Sequence, residues 1–316
     1  MRVLITGSSG QIGTNLGLQL LAAGHEVFGV DRRVNTWTDA FPTLLQDLSM
    51  PFRDFVGGMG GTPYPPTDVV VHLAANAKGH ELVTQPHRAL ENITTTFNVL
   101  EYCRQQQVPI VYASSREVYG DIHRYLTDEE TADFAYTESP YSASKIAGES
   151  LVYSYARCYG MRYIVFRFSN VYGRYDNDID RMERVIPLFI RELRAGRMVT
   201  VYGRDKKLDF THVDDCVDGI MRGISALHAG RISAATINLA YGAGSTLVEM
   251  AQLVAAAVGN TQPDIRIEDS KRVGEVTYYV ADLRRARALL DFTPRIPLAD
   301  GIRRAVAWQD SLHTGT

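Results

Sequence analysis

The sequence predicts an α/β protein with a doubly wound parallel sheet and a smaller C-terminal cap. Short apolar runs alternate with helical patterns through about residue 170, a glycine-rich turn follows the first run, and no proline-rich linker precedes the remainder. Such alternation is typical of a parallel sheet that helices cover on both faces. The predicted strands lie near residues 2–6, 26–30, 69–73, 109–114 and 162–168.

Residues 1–170 therefore form the predicted sheet domain, and residues 171–316 form mainly a cap packed upon it. A helix is predicted from Val185 to Ala195, and smaller elements follow it. Some segments of the cap are expected to return to the first domain. The glycines and prolines between residues 57 and 66 break the alternation and predict a surface loop.

The glycine-rich turn, Gly7-Ser-Ser-Gly-Gln-Ile-Gly13, lies between the first strand and a helical pattern. Glycines there let the backbone approach a pyrophosphate, and the following helix presents free N–H groups to it. The second strand ends at Asp31, about twenty residues after the turn, where a carboxylate accepts hydrogen bonds from an adenosine ribose. The pattern favours NAD. Because Arg32 and Arg33 follow and could contact a 2′-phosphate, NADP stays an alternative.

Tyr141 and Lys145 are four residues apart in a predicted helix that begins at Ser139-Pro140, an N-cap residue followed by proline. The spacing places both side chains on one face. A phenol with a pKa of about 10 is a poor base at neutral pH. A neighbouring ammonium and a positive nicotinamide ring favour the phenolate, which can take a proton from an alcohol while hydride leaves the same carbon.

The fourth predicted strand runs into a polar turn that contains Ser114, Ser115 and Glu117. Side chains at the carboxyl end of a parallel strand face the crevice in which ligands bind. Ser115 is therefore expected to bond the reacting oxygen, and Glu117 is expected to face the substrate. Ser114 is equally well explained as a turn residue. Lys78 follows the third strand and is a candidate substrate contact, with a solvated loop lysine as the alternative.

Together these motifs resemble the extended short-chain dehydrogenases/reductases, in particular the nucleotide-sugar epimerase/dehydratase group. The resemblance spans essentially the whole chain. It implies a Rossmann-like first domain, bound NAD, a nucleotide-sugar substrate that is UDP-linked, and a substrate-binding cap. The matching segments are Thr6 to Gly13, Asp47-Leu48, Val71 to Ala75, Asn92, Ser115, Tyr141, Lys145, Arg167 to Gly173, Asp209 to Asp215 and Arg272 to Glu275.

The residues and the resemblance together give a full set of candidate site residues. The predicted catalytic residues are Ser115, Glu117, Tyr141 and Lys145. The predicted cofactor contacts are Gly7, Gly10, Gln11, Ile12, Gly13, Asp31, Arg32, Asp47, Leu48, Leu73, Ala74, Ala75, Asn92, Tyr141 and Lys145. The predicted substrate contacts are Lys78, Ser115, Arg116, Asn170, Arg204 and Arg272.

The chain departs from the group directly before the Asp-Phe pair. Many members of the group have an arginine there, whereas this chain has Leu208. The diphosphate is therefore expected to depend on Arg272, with help from Arg204, Lys206 or Lys207.

A second departure concerns Arg116 and Glu117. Dehydratases of the group carry an Asp-Glu pair at these positions, so the acid that protonates the departing hydroxyl is missing here and dehydration is disfavoured. Uronic-acid decarboxylases also have the glutamate, so decarboxylation stays open. Arg116 either pairs with a substrate carboxylate through two hydrogen bonds or points into solvent.

The resulting hypothesis is an NAD-dependent 4-epimerase of a UDP-hexose or UDP-hexuronate that works through a 4-keto intermediate. A dehydratase or decarboxylase that uses Glu117 is the first alternative, and a non-catalytic NAD-sensing protein is the second. The presence of Ser115, Tyr141 and Lys145 together argues against a sensor, which needs no such set.

Composition and length predict a soluble, cytoplasmic enzyme. The formal net charge of −3 over 316 residues argues against nucleic acid or an anionic membrane as the main partner. No apolar run approaches the ~18 residues of a membrane helix. Met1 leads directly into the first strand, which leaves no room for a signal peptide.

The remaining expectations concern thiols, metals and assembly. Cys103, Cys158 and Cys216 are predicted to be buried and reduced. The histidines near residues 72–87 lack the spacing of a shared helical face, so no metal site is predicted. The resemblance implies a homodimer formed by helices near residues 88–105 and 141–158.

Overall fold

The computed structural model describes residues 1–50, 65–121, 127–130, 137–176, 184–270 and 273–313. Within these ranges the strands are β1 (Arg2–Thr6), β2 (Glu26–Asp31), β3 (Thr43–Leu45), β4 (Val69–His72), β5 (Ile110–Ser115), β6 (Tyr163–Phe168), β7 (Asn170–Tyr172), β8 (Val199–Tyr202), β9 (Lys207–His212), β10 (Ala234–Leu239), β11 (Gly244–Thr246), β12 (Ile265–Glu268) and β13 (Tyr278–Tyr279). The helices are α1 (Gln11–Ala22), α2 (Gly79–Thr84), α3 (His87–Gln106), α4 (Pro140–Tyr159), α5 (Val185–Arg194), α6 (Val213–His228), α7 (Leu247–Ala257), α8 (Arg284–Leu290) and α9 (Leu298–His313), and a short 3₁₀ helix spans Arg116–Tyr119.

The main sheet of the described residues has seven parallel strands in the order β10-β6-β5-β4-β1-β2-β3. The chain builds outward from β1 to β3 in one direction and from β4 to β6 in the other. The strand order therefore reverses between β1 and β4. In open sheets of this kind, ligands bind in the crevice at the carboxyl ends of the strands beside such a reversal.

Helices cover both faces of the sheet, and the side chains of β1 show why its sequence is apolar throughout. Val3 and Ile5 pack on one face in a core shared with Leu16 of α1, while Leu4 packs on the opposite face with Leu100 of α3. Successive residues of a strand point to opposite faces, so a strand covered on both sides needs an uninterrupted apolar run. The predicted fold class is confirmed.

The five predicted strands of the main sheet are present, and two further strands were not predicted. β3 has three residues, and it pairs only with β2 at one edge of the sheet. β10 forms the other edge and pairs with β6. Edge strands lack a partner on one side and can be short or mixed in polarity, so their sequences carry a weak periodic signal.

The C-terminal half of the chain contributes to two structures. β10 joins the main sheet, and α6 packs in the core on the α1 side of that sheet through residues such as Ile220. A separate apolar core joins α5, α7 and β8, with Phe189, Met250 and Val201 among its buried side chains. Two small sheets, β11-β9-β13 with β7 and β12-β8, border this core. The division of the chain at about residue 170 stays a prediction.

The prediction of three buried thiols was wrong for one of them. Cys103 and Cys216 are buried, and burial raises the pKa of each thiol above its usual value. Cys158 is exposed because it lies in the last turn of α4, on the side that faces away from the sheet. All three are free thiols.

Some predictions fall on residues 51–64 and 271–272. Most of the predicted loop between residues 57 and 66, and Arg272, lie outside the described residues. Among the helices that are described, none combines the length and the apolar composition of a membrane crossing.

Candidate active site

A cavity of about 1040 Å³ opens at the carboxyl ends of the main-sheet strands, where the strand order reverses. Every predicted catalytic and cofactor residue lines it. The predicted substrate residues that line it as well are Lys78, Ser115, Arg116 and Asn170. The fold thus brings together residues from the carboxyl ends of β1 to β6 and from α1, α3 and α4.

Of the predicted substrate residues that the structure describes, Arg204 is not part of this lining. Arg204 is exposed in the turn after β8, where its backbone N–H donates to Asp269 at 3.3 Å. Arg272 lies outside the described residues. Leu208, which replaces the arginine of many relatives, is buried in the core of the cap. Lys206 is paired with Glu275, a cavity residue, at 2.8 Å.

The glycine loop after β1 lies directly against the segment that follows β4. Gly7 has a φ of 74°, and a Cβ atom there would lie 2.7 Å from the backbone nitrogen of Ala74. A Cβ atom on Gly13 would lie 2.3 Å from the Gly7 carbonyl oxygen. Larger residues would push the loop away from the crevice, so the glycines allow the backbone to form its floor.

Helix α1 begins at this loop with an N-terminus suited to an anion. Its N-cap residue is Gly10, which provides no side chain to cap the helix, and its first turn carries no acidic residue. The first N–H groups of a helix and its dipole attract negative charge when no side chain occupies them. A pyrophosphate fits this position.

Asp31 ends β2 with a buried carboxylate held by backbone groups. It accepts hydrogen bonds from the N–H groups of Ser9 and Arg33, both at 3.0 Å. Arg32 is turned across the cavity, where it donates to the Asn76 side chain at 2.7 Å. A carboxylate with spare acceptor capacity suits a ribose diol, whereas it repels a 2′-phosphate.

Asn92 of α3 supports the cavity wall. Its side-chain oxygen accepts the backbone N–H of Asn76 at 2.7 Å, and its amide donates to Ser144 of α4 at 3.1 Å. Asn92 therefore ties the loop after β4 to the helix that carries Tyr141, which makes its contribution to cofactor binding one of positioning.

Tyr141 and Lys145 lie one turn apart at the start of α4. Ser139 is the N-cap residue and accepts the N–H of Ser142, and proline occupies the first turn, as predicted. The Lys145 Nζ atom donates to the carbonyl oxygen of Ala113 at 2.8 Å and lies 5.8 Å from the centre of the Tyr141 ring. Ser115, at the end of β5, hydrogen-bonds to Tyr141.

Burial shifts the pKa values of this group. It lowers the pKa of Lys145 to about 8, against the opposing attraction of Glu149. It also raises the pKa of Tyr141, an effect that Glu117 strengthens and the hydrogen bond from Ser115 opposes. Desolvation disfavours the charged form of each group, so burial by itself favours the neutral phenol of Tyr141.

A buried ion pair that the sequence did not predict stands behind these residues. Glu149 accepts two hydrogen bonds from Arg167, at 2.9 and 2.8 Å, and a third from Ser114 at 2.5 Å. Ser114 is thus more than a turn residue. Its glutamate partner lies one helical turn beyond Lys145, on the same face of α4, and offsets part of the cost of burying the ammonium.

Glu117 and Arg116 follow Ser115 in the 3₁₀ helix. The Glu117 Oε2 atom accepts the hydroxyl of Ser142 at 3.2 Å, and burial raises the pKa of this carboxyl, opposed by the charge of Arg116. Arg116 is buried and lines the cavity. The alternative that Arg116 points into solvent was therefore wrong.

The amino-acid sequence of the chain matches a known family. The model of the NAD dependent epimerase/dehydratase family matches residues 3–240. The chain belongs to this family. The resemblance stated from the sequence is confirmed, and so is the dependence on NAD.

Other members of the epimerase/dehydratase family match the chain over its full length. The UDP-glucose 4-epimerase of Mycolicibacterium smegmatis is 31% identical over 97% of both chains. The UDP-glucuronic acid decarboxylase 1 of Danio rerio is 27% identical over 97% of this chain and 72% of its own length. The solved structure of the Thermus thermophilus UDP-glucose 4-epimerase in complex with NAD is 28% identical over 98% of both chains, with a TM-score of 0.84.

The cavity fits the cofactor that this family uses. The uncapped start of α1 would accommodate the pyrophosphate, and Asp31 would accept the adenosine ribose hydroxyls. Asp47 and Leu48 follow β3 and line the same cavity. Tyr141 and Lys145 line it as well and would lie beside the nicotinamide half of NAD.

Three further cavity residues were missed by sequence reasoning. Arg184 lines the cavity, donates to Gln11 at 2.6 Å and pairs with Asp176 at 3.3 Å. Trp37 and Tyr175 line the rim, with ring centres 5.6 Å apart. These residues come from loops with no periodic pattern, so only the fold brings them to the site.

One of the histidines considered for a metal site has its ring occupied by hydroxyl partners. His72 is buried in β4, where its ring contacts Thr6 at 2.7 Å and Thr96 at 3.2 Å, and burial lowers its pKa to about 3. Within the residues that the structure describes, no group of three or more His, Cys, Asp or Glu residues is placed to hold a metal ion.

Proposed function

We propose that this enzyme is a UDP-sugar 4-epimerase that acts on a UDP-hexose or UDP-hexuronate through a 4-keto intermediate. The observation that carries the proposal is the convergence of Ser115, Tyr141 and Lys145 in the same cavity as the NAD loop. The name of the Mycolicibacterium smegmatis relative, a UDP-glucose 4-epimerase, supports it.

Each catalytic residue has a distinct task. Tyr141 takes the proton of the sugar's 4-hydroxyl and later returns it, and Ser115 holds the same oxygen. Lys145 favours the phenolate form of Tyr141 through its positive charge. When bound, NAD would supply the acceptor and donor of the hydride at C4. The 4-keto sugar must turn within the cavity so that its opposite face receives the hydride, which gives the 4-epimer with no net oxidation.

The remaining cavity residues position the sugar nucleotide. The Asn170 side chain donates to the carbonyl oxygen of Asp209 at 3.0 Å, which fixes its amide at the edge of the cavity. Lys78 lies on the opposite wall after β4. We expect these residues to contact the nucleotide and the sugar, respectively.

A lyase is the second candidate, and Glu117 is the observation that favours it. This carboxyl lines the cavity as Tyr141 does, and burial raises its pKa, which favours its use as a proton-transfer group. The Danio rerio relative is named as a UDP-glucuronic acid decarboxylase. The same 4-keto intermediate would then activate the neighbouring carbon for loss of a group.

The first experiment incubates the protein and NAD separately with UDP-glucose, UDP-N-acetylglucosamine and UDP-glucuronate, with products followed by proton NMR. We expect a 4-epimer of unchanged mass from at least one sugar. Tyr141→Phe should lower kcat by about 10²–10⁴-fold, because a proton-transfer group is lost. Loss of water or carbon dioxide would overturn the epimerase proposal.

Glu117→Gln separates the two candidates. An epimerase should keep most of its rate, since Glu117 has no required step in that reaction. A lyase should lose most of its rate and accumulate the 4-keto sugar. Absorbance of bound NADH reports that accumulation independently of product release.

We also propose that the enzyme is a homodimer. Leu90 and Phe97 lie seven residues apart on α3 and are 66% and 42% exposed, and Tyr159 at the end of α4 is 58% exposed. Residues seven apart share a helical face, so these apolar side chains form one candidate contact surface.

A further inference from the structure

Arg116 is a buried arginine whose guanidinium is incompletely satisfied. Only 9% of its surface is exposed, and its Nη1 atom has no hydrogen-bond partner among the described residues. A guanidinium stays protonated at all physiological pH values, so it cannot relieve the cost of burial by losing its proton. A buried charge is ordinarily paired, and leaving one unpaired is strongly unfavourable.

The protein supplies little compensation for this charge. Glu117 is the nearest acidic residue in sequence, and its Oε2 atom accepts a hydrogen bond from Ser142. The two charges do attract each other, because Arg116 opposes the burial-driven rise in the pKa of Glu117. Burial raises the pKa of that carboxyl, which disfavours the charged form that would pair with Arg116. The site therefore has room for a further negative charge.

The position of Arg116 identifies where that negative charge would lie. Arg116 follows Ser115, and Ser115 and Tyr141 hold the oxygen on the reacting carbon of the sugar. The neighbouring carbon, C5, carries the exocyclic group of the sugar ring. Because Arg116 lines the same cavity as Ser115, its guanidinium can meet a substituent on C5.

We propose that Arg116 forms a subsite for a carboxylate on C5, and that the substrate class is therefore a UDP-hexuronate. This inference rests on the proposed 4-epimerase function and narrows it. A planar guanidinium and a carboxylate match in shape and can form two parallel hydrogen bonds. A neutral hydroxymethyl group at C5 would leave the arginine without a counterion.

The test compares UDP-glucuronate, UDP-glucose and UDP alone as ligands of the NAD-loaded enzyme and of Arg116→Gln. Binding is measured by calorimetry in a Tyr141→Phe background, so that turnover does not intervene, and KM and kcat are measured in the wild-type background. We expect Arg116→Gln to lower the affinity for UDP-glucuronate at least about tenfold, because a charged hydrogen bond is lost. The affinities for UDP-glucose and UDP should change by less than about threefold. Arg116→Lys keeps the positive charge but lacks the planar guanidinium that forms two parallel hydrogen bonds, so it should restore part of the lost affinity.

Two other outcomes overturn the inference. Equal weakening of all three ligands, UDP included, would place Arg116 on the diphosphate. If the affinities for UDP-glucuronate and UDP-glucose fall equally while that for UDP is unchanged, Arg116 is a partner of Glu117 only. The unchanged affinity for UDP would show that the variant is folded. The proposed function fails separately: if the wild-type enzyme epimerises neither sugar but still binds UDP-glucuronate through Arg116, the carboxylate subsite stands without it.

Discussion

At the scale of single residues, the site depends on an ammonium group that the fold removes from water. Lys145 lies beneath β5, where its Nζ atom contacts the Ala113 carbonyl and lies 5.3 Å from the centre of the Tyr112 ring. Burial lowers its pKa to about 8, and Glu149 keeps the value from falling further. The charge that favours the Tyr141 phenolate is therefore present at neutral pH and is lost in mildly alkaline solution.

The pH dependence of the reaction follows from this shift. As pH rises through about 8, Lys145 loses its proton in the folded enzyme, and kcat should fall. The Lys145→Arg variant should have a lower kcat at neutral pH, because the shape of the side chain differs. Its kcat should not fall in alkaline solution, because arginine keeps its charge at these pH values. The measurement is kcat from neutral to moderately alkaline pH for both proteins. An identical alkaline fall in the two would assign that limb to another group.

At the scale of secondary-structure elements, the crevice depends on contact between the turn after β1 and the segment after β4. Both Gly7 and Gly24 have positive φ angles, of 74° and 80°. A Cβ atom on Gly7 would meet Ala74, whereas a Cβ atom on Gly24 would meet nothing within 4 Å. Both glycines therefore need a positive φ angle, but only Gly7 lies so close to another segment that a Cβ atom would clash.

Gly7→Ala and Gly24→Ala therefore form a matched pair. Both should lose about 1–2 kcal/mol of unfolding free energy, because alanine is strained in the left-handed region. Gly7→Ala should also separate the turn after β1 from the segment after β4 and lower the affinity for NAD at least about tenfold. Gly24→Ala should bind NAD as the wild type does. Urea unfolding and calorimetry measure the two effects. Equal NAD affinities would show that the contact with Ala74 is not needed for the cofactor.

The elements also show which features a sequence reveals. The motifs on β1, β2, β5 and α4 could be predicted because each combines a periodic apolar run with a turn or cap of defined chemistry. Neither β10 nor its position at the edge of the main sheet could be predicted. β10 pairs with β6 and packs against α8, and both partners are far from it in sequence.

At the scale of the whole molecule, the exposed apolar surface on α3 supports the proposed dimer. Leu90 and Phe97 cannot reach the core of their own chain, because the opposite face of α3 packs on the sheet through residues such as Leu100. A second copy of the chain would cover them with its own α3 and α4, through a two-fold symmetric contact.

Replacing both Leu90 and Phe97 with glutamate should convert the proposed dimer into a monomer, because charged residues would be buried at the interface. Leu289→Glu is the matched control, since Leu289 is also an exposed leucine, at 39%, but lies on α8. It should leave the assembly unchanged. Analytical ultracentrifugation measures both. A dimer that survives the double change must use another surface, and a monomeric wild type would refute the proposal.

The sequence by itself determined the fold class, the family, NAD as the cofactor and the candidate catalytic and cofactor residues that line the cavity. These follow from local rules, since glycine turns, helix caps and strand ends are specified by neighbouring residues. Tertiary structure alone decided that Arg116 is buried rather than solvated, that Glu149 and Arg167 stand behind Lys145, and that Arg184 joins the site. The reason is physical. Burial, pairing and pKa depend on which distant segments pack against a side chain, and that information is not local to any motif.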